Sequence, residues 1–127
     1  MKMYKKVFIA FDFGKKNIGI SIGNSLIKKS YPIKIVKNKK NIYLYIIQNI
    51  LKKWKPNILI LGLPISSNGK EQCLTFDCRN FAEYLNNIFN INIILVDERN
   101  SNKKNRINMI DDHYASSVIL QRYIDLF

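Results

Sequence analysis

Residues 7–24, VFIAFDFGKKNIGISIGN, decide the fold. Val7 to Phe13 is an apolar, β-rich run holding a single acid, Asp12, and it stops at Gly14. Ile18, Ile20 and Ile22 then alternate with Gly19 and Ser21, which is the period of a strand. A third run, SYPIKIVK at 30–37, alternates Ile33 and Ile35 with Lys34 and carries Pro32 near its start, where an edge strand accepts it. The links are short, so hairpins and a three-strand antiparallel unit are expected.

Downstream the period changes. Tyr43, Ile47, Ile50 and Trp54 step by four, three and four, predicting an amphipathic helix that Lys55-Pro56 ends, with Tyr43 and Trp54 in the core. NILILGLP at 57–64 is a continuous apolar run, the mark of a strand buried on both faces. Ser66 to Gly69 reads as a loop. From Glu71 to Phe89, Leu74, Cys78, Phe81, Leu85 and Ile88 define a second helix. INIILVDER at 91–99 is a second buried strand, ending in acids. From Asp111 on, Ala115, Val118, Ile119, Tyr123 and Leu126 share one helical stripe. The predicted architecture is α/β: a mixed five-stranded sheet, three antiparallel strands then two parallel, with helices on both faces.

The chain has 127 residues, which suits one domain spanning 1–127. Hydrophobic residues at 47% exclude a disordered chain, and no apolar run is long enough to span a bilayer. The charged-then-apolar start is broken by Asp12 without a cleavage site, so a cytoplasmic location is expected. Lys and Arg number 21 against 9 acids, a net charge of +12 that draws polyanions and favours nucleic acid as partner. Cys73 and Cys78 are the only cysteines and stand five apart on a predicted helix, a spacing that suits neither a disulfide nor a zinc pair.

With so few acids, their positions carry information. Asp12 ends the first strand, Asp97 and Glu98 end the last, and Asp111 and Asp112 open the final helix. Parallel first and last strands bring both strand ends to one sheet edge, the usual place of an α/β active site. Asp112 shares the stripe of Ala115 and Ile119 that faces the sheet. Converging carboxylates repel one another, and Mg²⁺ or Mn²⁺ neutralises them while leaving room for water and phosphate. An acidic metal notch in a basic protein is what phosphodiester hydrolysis uses. Taken singly, Asp12 also reads as a turn residue, Asp97 as a partner of Arg99, and Asp111 or Asp112 as a helix cap.

FIAFDFGKKNIGISIG (8–23), LILGLPISSNGKEQ (59–72), VDERNS (96–101) and DDHYASSVILQRY (111–123) resemble, in order and over roughly residues 7–124, the YqgF/RuvX family of pre-16S ribosomal RNA nucleases. Gly62-Leu63-Pro64 followed by Gly69, Glu71 and Gln72 is the most specific part. The resemblance implies a ribonuclease H-like fold similar to Holliday-junction resolvases. It implies Asp12, Glu98 and Asp112 as the catalytic, metal-binding triad, and maturation of the 5′ end of 16S rRNA in the cytoplasm. Two features depart from the family pattern: the segment Asn100–Asp111 is short by about ten residues, and His113-Tyr114 replaces the usual small residues after the last Asp.

Around these acids stand candidate contacts to nucleic acid. Lys15 and Lys16 follow Asp12 in the first hairpin and read as phosphate contacts or as a solvated turn. Arg99 is placed to clamp a phosphate or to pair with Asp97. Asn68-Gly69 forms a turn whose backbone N–H groups can approach substrate. Three activities compete: a metal-dependent endonuclease on structured RNA or branched DNA, a non-catalytic nucleic-acid-binding module of the same fold, and a phosphotransferase whose DFG resembles the phosphate loop of actin-like ATPases. The last needs two such lobes, and this chain supplies one.

Overall fold

The computed structural model describes residues 6–26, 29–64 and 72–97. Strands β1 (Val7–Phe13), β2 (Asn17–Asn24) and β3 (Ser30–Lys37) come first, then helix α1 (Lys40–Trp54), strand β4 (Ile58–Leu63), helix α2 (Cys73–Phe89) and strand β5 (Ile93–Asp97). The sheet order is β3-β2-β1-β4-β5. β1 pairs antiparallel with β2, and β2 with β3. β4 runs parallel to β1, and β5 parallel to β4. This is the mixed sheet that the alternating and continuous apolar runs predict. Pro32 sits on the edge strand, opposite Ser21, where the β2–β3 register shifts.

Strand alternation sorts the side chains into two layers. Ile9 and Phe11 of β1, Ile18 and Ile20 of β2, and Leu59, Leu61 and Leu63 of β4 join Tyr43, Ile47 and Ile50 of α1 and Cys78, Phe81 and Leu85 of α2 in the main core. Phe81 is its hub: its ring centroid lies 5.7 Å from Phe11, 4.9 Å from Phe13 and 5.4 Å from Tyr43. Phe8, Ala10 and Ile60 are buried on the opposite face, with Ile58 and Val96 packed against them. Both described helices therefore lie on one face; the third helix expected from Asp111 on falls outside the described residues.

Two details differ from the helical periodicities. Trp54, expected in the core, is 39% exposed, and Ile88 is 46% exposed. Each sits in the last turn of its helix, where following the apolar stripe does not by itself bury a side chain. α2 begins at Cys73 rather than Glu71, because Gln72 is its N-cap and forms a capping box with Thr75. Both helices end on a non-glycine residue in the left-handed region: Lys55 at φ 47° and Asn90 at φ 51°. Cys78 is buried and Cys73 exposed, and both remain thiols, as their spacing predicts.

Thr75 is fully buried and ties α2 to the end of β4. Its hydroxyl donates to the Pro64 carbonyl and accepts the Gln72 N–H at 3.0 Å. Thr75→Val keeps the shape but orphans both partners, which costs about 1–3 kcal/mol. Thermal melts should show a loss of roughly 3–8 °C, largely restored in Thr75→Ser.

Candidate active site

Asp12 is the next-to-last residue of β1 and is half-buried. Alternation places it on the face of Phe8 and Ala10, away from the two helices. Directly across on β2 stands Gly19. On the other side, one residue beyond the Phe11–Leu61 pair, β4 carries Gly62. The carboxylate thus rises from a patch that neither neighbouring strand fills with a side chain. The donor there is a hard oxygen, and the glycines leave it room, which suits an oxygen-loving divalent cation such as Mg²⁺ or Mn²⁺.

The turn after Asp12 is held from three sides. Gly14 N–H donates to the Asn17 carbonyl at 2.9 Å, and Asn38 N–H donates to the Lys16 carbonyl at 2.9 Å. Asn38 Nδ2 donates to the Gly14 carbonyl at 2.6 Å. A Cβ on Gly14 would lie 2.8 Å from the Asn17 carbonyl oxygen, so only glycine fits this close approach. The Phe13 ring, on the other face, packs on Phe81 and fixes the strand end in the core. Asn38 and its bond to Gly14, 24 residues away, leave no mark in the sequence pattern. Lys15 and Lys16 are both exposed on this turn.

Because β1, β4 and β5 are parallel, their C-terminal ends share one edge, as the crossovers predict. Asp97 closes β5 opposite Leu63 of β4. Among the described residues no three His, Cys, Asp or Glu side chains gather to hold a metal. Glu98, Arg99, Asp111, Asp112, Asn68 and Gly69 lie outside the described residues, so of the expected triad the structure places Asp12.

Behind the strand end, on the helix side, lies a cavity of about 360 Å³ bordered by Phe13, Asn38, Lys40, Tyr43, Asp77 and Tyr84. Lys40 Nζ lies 4.3 Å from the Tyr84 ring centroid. Burial, and secondarily the Tyr84 phenol, raise the pKa of Tyr43 above its ordinary 10.0. Tyr43 therefore favours the fold fully below pH 10.0, and that contribution is lost as the pH climbs through its raised value.

Residues 6–126 match the model of the RuvX family, described as Holliday junction resolvase. The chain belongs to the RuvX family. Its curated relatives include a Bordetella petrii protein named "Putative pre-16S rRNA nuclease", 38% identical over 97% of this chain and 98% of that one. A Paraburkholderia xenovorans protein of the same name is 36% identical, over 92% of this chain and 86% of its own. Among solved structures, Thermus thermophilus RuvC bound to a Holliday junction aligns over 94% of this chain and 93% of its own, with a TM-score of 0.59 and 10% identity. A fowlpox virus resolvase with Holliday junction DNA aligns over 94% and 97%, with a TM-score of 0.51 and 15% identity. These two likenesses show the fold, which is the ribonuclease H-like one that the family motifs imply. No described helix is long and apolar enough to cross a membrane.

Proposed function

We propose that this member of the RuvX family trims the 5′ end of precursor 16S rRNA in the cytoplasm, with Asp12, Glu98 and Asp112 holding one or two divalent cations. The family is one of nucleases, and the chain is a hydrolase of phosphodiester bonds. The observation that carries the site is the place of Asp12: on a central strand, flanked by Gly19 and Gly62, at the edge where parallel β5 ends in Asp97. Val96 of β5, packed with Phe8, Ala10 and Ile60, carries the face of Asp12 onto that strand of the edge. Glu98 and Asp112 enter this reading as the ligands that the family motifs imply.

Asp12, Glu98 and Asp112 would hold the Mg²⁺ or Mn²⁺, which would supply activation of water and charge stabilisation at the departing oxygen. The chain's own residues do the rest. The three carboxylates set the position of the ions. Lys15, Lys16 and Arg99 hold the flanking phosphates, and Asn68-Gly69 offers backbone N–H groups to the substrate. Incubating the protein with a precursor-rRNA fragment and Mn²⁺, beside Asp112→Asn and a branched-DNA arm, tests this reading. Mn²⁺-dependent cleavage of the RNA by wild type alone supports it. Cleavage confined to branched DNA, or undiminished in Asp112→Asn, refutes it.

RNA binding should be largely electrostatic, because a charge of +12 comes with no base-reading motif. Affinity should fall with salt at a log–log slope of roughly −0.7 to −0.9 per phosphate neutralised. A filter-binding series across salt checks this; a flat series contradicts it.

A further inference from the structure

The positive charge is confined to one part of the chain. Residues 13–70 hold twelve lysines and no acid, while the remaining 69 residues balance nine cations against nine acids. The whole net charge of +12 therefore belongs to the span that builds β2, β3, α1 and β4. Every described lysine of that span is exposed.

Within it, a groove of about 500 Å³ runs between edge strand β3 and α1. Ile33 and Lys34 border it from the strand, and Tyr45, Asn49, Lys53 and Trp54 from the helix. Tyr45 is 68% exposed, more than any other large hydrophobic side chain among the described residues, and Trp54 is 39% exposed. Lys53 Nζ lies 5.2 Å from the Trp54 ring centroid. The groove thus offers open aromatic rings with ammonium groups beside them, and its lining has no carboxylate.

We propose that this groove binds a single-stranded RNA segment, with unpaired bases stacked on Tyr45 and Trp54 and phosphates against Lys34 and Lys53. Charge selects the occupant. A protein segment of ordinary composition gains little from a cationic, acid-free lining, whereas the phosphates of a strand find Lys34 and Lys53 there. Exposed rings beside cations are the stacking platform that proteins use for unpaired bases of any sequence. Paired bases bury their faces in the duplex stack and cannot use it. The groove lies on the helix side of the sheet, opposite the face of Asp12. Binding there needs no catalytic carboxylate and is separable from cleavage.

Trp54 is the only tryptophan, so its emission reports this groove alone. The full chain, in EDTA, is titrated with a twelve-nucleotide oligouridylate and with an RNA duplex of equal length. Anisotropy of labelled RNA reads total binding, and Trp54 emission reads the groove. The expected result is saturable quenching by the single strand, with the midpoint of the anisotropy curve and little quenching by the duplex. Tyr45→Ala should weaken single-strand binding about tenfold, and Tyr45→Phe should restore it. Lys34→Ala with Lys53→Ala should also flatten the salt slope by about one to two. Binding by anisotropy with unmoved Trp54 emission would overturn the proposal. So would equal quenching by the duplex, or emission that changes with protein concentration alone as the chain dimerises.

Discussion

Asp12→Asn is expected to abolish cleavage while raising the melting temperature of the metal-free protein. Asparagine keeps the shape of the side chain but offers an amide, which neither neutralises a divalent cation nor binds it well. In the proposed triad Asp12 is one of three ligands, and its loss would forfeit several kcal/mol of charge stabilisation, a rate loss of about a thousandfold or more. The same change removes a repulsive charge from the metal-free site. With the proposed partners about 5 Å away and an effective dielectric constant near 20, that repulsion would be on the order of 3 kcal/mol per partner, or several degrees of melting temperature. Mn²⁺ should then stabilise the variant less than wild type, because it binds the native state more weakly. A capping or turn role for Asp12 gives the opposite: a destabilised metal-free protein with an unaltered response to Mn²⁺. Melts of both proteins, with and without Mn²⁺, separate the two.

Phe81→Ala should cost about 3–5 kcal/mol, a large share of the 5–15 kcal/mol that holds a domain together. Phe81 is 4% exposed and touches the rings of Phe11, Phe13 and Tyr43, so its loss opens a cavity where β1, α1 and α2 meet. Phe13 sits beside Asp12, and a loosened strand end would also blur the carboxylate's position. Urea denaturation should show an early midpoint for Phe81→Ala and a milder loss for Phe81→Leu, which refills most of the space. An unshifted midpoint in Phe81→Ala would mean that the hub carries little of the core.

Much of this fold is legible in the amino-acid sequence because its strands alternate or run uniformly apolar. β1 and β3 fall on the residues their patterns mark, and β4 is buried along most of its length, as a strand covered on both faces must be. Helix faces are readable and helix ends are not. Trp54 and Ile88 follow the apolar period yet stand exposed, since periodicity gives a direction around the axis and not how closely that face is covered. Of the site, Asp12 is legible because an acid interrupts an otherwise apolar strand at its end. The supports are hidden: Asn38 holds Gly14 from another strand's end, and Thr75 reaches Pro64 across a connection, contacts that no local pattern encodes. The segregated lysines are visible in composition, but only the β3–α1 groove shows where they meet open aromatic rings.

The convergence of three carboxylates on bound metal is tested most directly by calorimetric titration of Mn²⁺ into wild type, Asp12→Asn, Glu98→Gln and Asp112→Asn. All three variants should bind Mn²⁺ at least tenfold more weakly than wild type while melting at or above the metal-free wild-type temperature. Wild-type affinity in any one of them would remove that residue from the site, and wild-type affinity in Asp12→Asn would contradict the metal-centred account altogether.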